Sequence, residues 1–185
     1  MPRWFYWFFV TFIIVARDMT CVALATEEER CIDYYKTDEE FDLNLLAGDW
    51  FAVYYWPPLR RQKKKCEVIK FNRISSSEVG CAADNIPFGA NVFKSTYNSS
   101  ADKLRDIFYF GNGEVKEQVR DCKRVSKYLF VDLFEGYIMG INCSSEGRGV
   151  LLAKVLPTNE ELLSVIEDIP VMTGRSGSPN CPLAP

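Results

Sequence analysis

The sequence contains no histidine among its 185 residues. That absence removes the imidazole base on which Ser-His-Asp and Cys-His catalysis depends, the usual zinc ligand and the proximal histidine that holds haem in many haem proteins. Long apolar runs are also scarce. The stretch 4–16 is almost continuously aromatic and aliphatic, but Arg17 and Asp18 end it well short of the ~20 residues a spanning helix needs, so no membrane span is expected. The run follows Arg3 and leads to Ala23-Leu24-Ala25, a small-x-small pattern, and reads as a secretory signal peptide over 1–25. Excess positive charge is missing as well. The formal charge is −3, and loss of Arg3, Arg17 and Asp18 with the leader makes it one unit more negative, which argues against nucleic acid as a partner. A spare thiol is the last absence. The leader carries Cys21 away and leaves Cys31, Cys66, Cys81, Cys122, Cys143 and Cys181, an even set bound for an oxidising compartment, which suits three disulfides and leaves no free nucleophile. The pairing among six cysteines stays open at this point. These absences point to an extracellular binding protein rather than an enzyme, with no metal and no cofactor expected.

What is present is a β pattern. From Asp49 to Leu156, short runs rich in Val, Ile, Phe and Tyr alternate with clusters of Gly, Asn, Ser and Asp, the spacing of an antiparallel meander. Strands are expected at 50–56, 66–73, 78–83, 91–97, 104–110, 114–123, 128–134, 137–143 and 149–155. Gly111-Asn112-Gly113 and Glu135-Gly136 separate strand-like runs and predict hairpins. One helix follows: Thr158-x-x-Glu161 forms a capping box, Pro157 and Pro170 bracket the segment, and Leu162, Val165, Ile166 and Ile169 make one apolar stripe to lie on the outside of a sheet. Residues 173–185 read as an extended tail pinned back by Cys181, so the mature chain divides into one domain over 26–172 and that tail. Asn98-Ser99-Ser100 and Asn142-Cys143-Ser144 match the N-glycosylation pattern, and Asn98, in a polar turn, is the better acceptor.

Gly48-Asp49-Trp50 opens the first strand, a hairpin rich in aromatics precedes a cysteine, and a last strand is followed by a Pro-Thr helix and a late cysteine. In this combination the chain resembles the lipocalins, and among them the secreted insect and arthropod members. The resemblance covers nearly the whole mature chain. It implies an all-β fold, an eight-stranded antiparallel up-and-down barrel with one C-terminal α-helix packed outside, Gly48 giving a tight entry and the Trp50 indole closing the barrel base. By the same analogy Cys31 pairs with Cys143 and Cys66 with Cys181, and Cys81 with Cys122 forms an extra staple. Two motifs depart from the family pattern. Asp132 and Tyr137 represent the second only loosely, and the arginine the third usually offers over the indole is missing. Lys154 is the nearest cation and a candidate for a cation–π contact with Trp50.

Strand side chains alternate with period two, so Tyr54 and Trp56 are expected on the face of Trp50, lining the cavity of such a barrel. Phe71, Phe93, Phe108, Phe130 and Met139 are further candidate ligand contacts. The alternative is that these side chains simply fill the interior, as in many small barrels. The one sharp charge feature, Arg60, Arg61, Lys63, Lys64 and Lys65, falls in the connection between the first two strands, which in lipocalins crosses the open mouth. It suits steering of an anionic ligand or contact with a polyanionic or protein surface, unless it is an ordinary solvated loop or a dibasic protease target. The expected function is carriage of a small hydrophobic or amphipathic molecule, such as a pigment, fatty acid or retinoid. The alternative is a secreted inhibitor or interaction protein working through its loops.

Overall fold

The computed structural model describes residues 25–87, 89–98, 103–120, 124–134 and 136–185. The expected leader up to residue 24 and Cys122, with the Cys81–Cys122 pair, lie outside the described residues. Eight strands form the barrel: β1 (Gly48–Trp56), β2 (Glu67–Ile74), β3 (Val92–Asn98), β4 (Leu104–Phe110), β5 (Val115–Arg120), β6 (Arg124–Phe134), β7 (Tyr137–Asn142) and β8 (Arg148–Ala153). Each pairs antiparallel with its neighbours in sequence, and β1 pairs with both β2 and β8, so the sheet closes on itself and keeps no free edge. This is the up-and-down barrel that the family resemblance implies. A two-residue strand, β9 (Ser178–Pro179), comes from the tail and pairs with β1 beyond the reach of β2.

One expectation about secondary structure needs correction. The run 78–83 is not a strand but part of a 3₁₀ segment, Ser76–Asn85, broken at Gly80, where φ is +62°. The cause is local: the Ser75 amide donates to the Glu78 carboxylate at 3.0 Å, a cap that starts a helical turn before any ladder can form. Val79 then packs with Ile86, Val92, Phe110 and Val119 on the barrel exterior. An additional helix, α1 (Glu27–Tyr35), precedes the barrel, started by a capping box between Thr26 and Glu29. The C-terminal helix, α2 (Asn159–Glu167), starts on the Thr158–Glu161 box and lies outside the barrel, its Leu162 packed with Val53, Met139, Leu151 and Ala153.

Inside, Phe41, Leu43, Leu46, Trp50, Phe71, Phe93, Phe130, Ile138 and Leu152 pack together as one buried cluster at one end. The Trp50 indole donates to the Leu46 carbonyl at 2.8 Å, and the Lys154 ammonium sits 4.2 Å from the ring centroid while donating to the Ala47 carbonyl at 2.9 Å. Gly48 has φ of +100°, and a Cβ there would lie 3.4 Å from the same ammonium, so both conformation and space favour glycine. Lys154 thus makes the cation–π contact with Trp50 for which the sequence made it a candidate.

Two disulfides, Cys31–Cys143 and Cys66–Cys181, tie α1 to the turn after β7 and the start of β2 to the tail, with Cα separations of 5.4 and 4.8 Å. The tail makes a further attachment. Asn180, at 0% exposure, donates from its side chain to the Ala52 carbonyl at 2.8 Å and from its backbone to the Val53 carbonyl at 2.9 Å. These contacts fall where β1 shifts register against β8, between Ala52 and Tyr54.

Two variants check this frame in urea unfolding followed by tryptophan fluorescence. Lys154→Met is expected to lose about 1–2 kcal/mol through the cation–π and carbonyl contacts, with Lys154→Arg largely restoring it. Asn180→Ala, which strips the buried Ala52 carbonyl of its partner, is expected to cost about 1–3 kcal/mol.

Candidate ligand-binding cavity

Above the packed floor the barrel opens into a cavity of about 890 Å³, bounded by Tyr55, Ile69, Ser95, Tyr97, Ile107, Tyr109, Gln118, Ser126, Tyr128, Asn142 and Val150, with Arg60, Arg120 and Arg148 at the exposed end. The register shift in β1 decides which aromatics face it. Trp50 and Ala52 belong to the interior cluster, Val53 and Tyr54 both turn outward, and from there the alternation is reversed, so Tyr55 faces in.

The sequence-derived site residues separate accordingly. Trp50, Phe71, Phe93 and Phe130 do face inward, but they form the floor beneath the cavity rather than its wall. Tyr54, Trp56, Phe108 and Met139 lie on the outside, contrary to expectation. Tyr54 and Trp56 pack ring to ring at 4.6 Å in the cluster under α2, and Trp56 borders the cavity only where its strand ends beside Pro57. Met139 is buried in the same cluster, and Phe108 packs against the cluster around Val79. Extrapolating one parity through β1 misplaced Tyr54 and Trp56. Phe108 and Met139 fall outside because a barrel covered by helices and loops has two apolar faces.

Sequence reasoning missed the four cavity tyrosines, Tyr55, Tyr97, Tyr109 and Tyr128. Their signal is the company they keep: Ser95, Gln118, Ser126 and Asn142 share their inward phase, and phenols suit a wall that is apolar in its body and wet at its tip. Tyr109 meets Tyr128 edge-on at 5.2 Å and Phe130 at 5.1 Å, which joins the wall to the floor. Gly140 makes room for this arrangement. A Cβ there would lie 2.5 Å from the Tyr128 hydroxyl oxygen. The Asn142 amide donates to Gln118 at 3.2 Å, and Gln118 in turn donates to the Tyr109 hydroxyl at 3.0 Å. Asn142 therefore points into the barrel beside the bridged Cys143, a poor setting for a glycan, whereas Asn98 is exposed at the end of β3.

Among the described residues Glu67 is the one carboxylate bordering the cavity, and it is already engaged: Lys63 pairs with it at 2.9 Å and the Tyr55 hydroxyl donates to it at 3.1 Å. In the loop 57–66, Arg60, Arg61, Lys64 and Lys65 are exposed. That loop is held to the tail by the Cys66–Cys181 bridge, by the Lys63 amide on the Asn180 carbonyl at 2.7 Å and by the Leu59 amide on the Ser178 hydroxyl at 3.0 Å. A smaller recess of about 350 Å³ at the closed end contains Lys116, whose burial lowers its pKa while Glu40 and Asp42 act the other way. Among the described residues no three His, Cys, Asp or Glu side chains gather as a metal site, and no helix is long and apolar enough to cross a membrane.

Burial pushes the Tyr55 and Tyr128 phenols well above the ordinary tyrosine value, helped at Tyr55 by the Glu67 carboxylate, and raises Tyr109 against the opposing pull of its bonds to Gln118 and Ser95. A raised phenol favours the folded state below the unfolded-state value of ~10, and that contribution is lost as pH rises through the higher folded values. Stability is therefore expected to fall above pH ~10. Tyr128→Phe should make that fall shallower in urea titrations run at successive pH values.

No family model matches the sequence, and no curated protein matches it. Among solved structures the chain is similar to lobster apocrustacyanin A1, with a TM-score of 0.47 and 13% identity over 76% of this chain and 79% of that one.

Proposed function

We propose that this protein is a secreted, lipocalin-type carrier that takes up a small amphipathic molecule in its barrel. One observation carries the reading: a cavity of about 890 Å³ stands open above a sealed aromatic floor, lined by tyrosine rings and a few hydrogen-bonding side chains. That size and that mixture are those of small-molecule sites generally. Apolar affinity comes from the phenol faces with Ile69, Ile107 and Val150, at roughly 25 cal/mol per Å² of apolar surface buried. Orientation comes from Gln118, Asn142 and the tyrosine hydroxyls. Two disulfides support an oxidising, extracellular setting, and the exposed Asn98 suits glycosylation there.

A second reading, contact with a protein or polyanionic surface through the basic loop, draws support from the loop's three attachments to the tail, which anchor the backbone that carries its cations. Replacing Arg61, Lys64 and Lys65 by Gln separates the two readings. Loss of partner binding with ligand uptake retained favours the surface role.

The carrier reading is tested by titrating the refolded protein with fatty acids, retinoids and bilins while following intrinsic fluorescence and near-ultraviolet circular dichroism. At least one class is expected to bind at micromolar concentration or tighter. Val150→Trp, which puts an indole into the cavity, is expected to weaken that binding tenfold or more with the dichroism of the fold retained. Absence of binding across the panel would sink the proposal.

A further inference from the structure

The open end of the cavity is unusually rich in guanidinium for so acidic a chain, whose formal charge is −3. Arg60 comes from the loop after β1, Arg120 from the end of β5 and Arg148 from the start of β8, so three separate parts of the barrel bring a cation to one opening. All three are exposed, and among the described residues none has an ion pair. Arg120 lies over the Tyr97 ring at 5.8 Å, a contact that fixes the guanidinium beside the cavity wall. Glu67, the one acid among the described residues that border the site, is engaged by Lys63 and Tyr55. Below this rim the lining changes character, first to half-buried Tyr55, Ile69, Tyr97 and Val150, then to buried Ile107, Tyr109 and Tyr128 resting on the floor.

We infer that the ligand is an amphipathic carboxylate that enters tail first, its carboxylate held at the rim by Arg120 and Arg148 with Arg60 adjacent, and its apolar part laid on the tyrosine wall. The inference rests on the carrier reading above and adds the charge and the direction of the ligand. Guanidinium is the chemistry that fits: its planar fork matches a carboxylate in two parallel hydrogen bonds, and partial enclosure strengthens the pair relative to bulk water. Arginine stays charged throughout the physiological range, so retention depends on the ionisation of the ligand alone.

The experiment compares dansylaminoundecanoic acid with its primary amide, two probes of nearly equal size and apolar area, by dansyl fluorescence at neutral pH. The acid is expected to bind at least about tenfold tighter, with that preference shrinking as salt is raised. The Arg120→Gln/Arg148→Gln double variant is expected to weaken the acid about tenfold more than the amide, so that the preference collapses. Arg120→Lys/Arg148→Lys, which keeps the charge and loses the fork, should fall between the two. Equal binding of acid and amide overturns this inference and leaves the carrier reading standing. The same holds for a double variant that weakens both probes alike. Failure of both probes to bind overturns the two readings together.

Discussion

One extra residue in the first strand sets the chemistry of the whole barrel interior. Below the register shift at Val53, β1 sends Trp50 and Ala52 inward; above it, Tyr55 is inside and Trp56 outside. A strictly alternating strand would have placed Trp56 in the upper barrel and turned Tyr55 out, since every side chain changes face with a shift of one residue. The shift is held in place by Asn180, which meets the carbonyls of Ala52 and Val53 from the tail. The C-terminal segment therefore acts on the cavity without lining it. It fixes the parity of β1 and, through Cys181, Asn180 and Ser178, the course of the basic loop at the rim.

The two ends of the barrel obey different physics. At the closed end, burial of large side chains is complete, and the polar atoms that must be there are satisfied in place: the indole N–H by Leu46, the Lys154 ammonium by Ala47 and the face of Trp50. At the open end the wall is built from side chains that tolerate water. Phenols held edge to face against one another and bonded through Gln118 and Asn142 need not collapse to fill the space between them. A wall already fixed in this way loses little further side-chain freedom when a ligand arrives, which is how preorganisation favours affinity.

The elements were largely legible in the sequence because each is fixed by local chemistry. The β runs of the barrel, the Thr158 capping box and the Gly48–Trp50 start all stand where pattern and turn residues put them. Even Lys154 could be singled out over Trp50, being the nearest cation to where the arginine is missing. Two helical signals stand in the sequence but were not read from it: Thr26 with Glu29 marks α1, and Ser75 with Glu78 turns an apparent strand into a 3₁₀ segment. The cavity was far less legible. Which aromatics face inward depends on a bulge stabilised by a residue more than a hundred positions away, information that no local window contains. The cluster under α2 and the one beside Val79 add to the ambiguity, because outward strand positions are as apolar as inward ones.

The placement of the disulfides follows from the same division. Cys143 lies in the turn between β7 and β8, next to Asn142, and Cys66 directly precedes Glu67; both Asn142 and Glu67 border the cavity. Each bridge thus fastens the open end, where a ligand-sized space takes the place of core and apolar burial contributes least. The closed end has no bridge among the described residues and relies on packing around Trp50. The loops closed by the bridges span 112 and 115 residues, so each restricts the unfolded chain strongly, by about 3–5 kcal/mol in the chain-entropy account. Cross-links at the rim therefore supply stability that a filled barrel would draw from its core, and they do so without occupying the cavity.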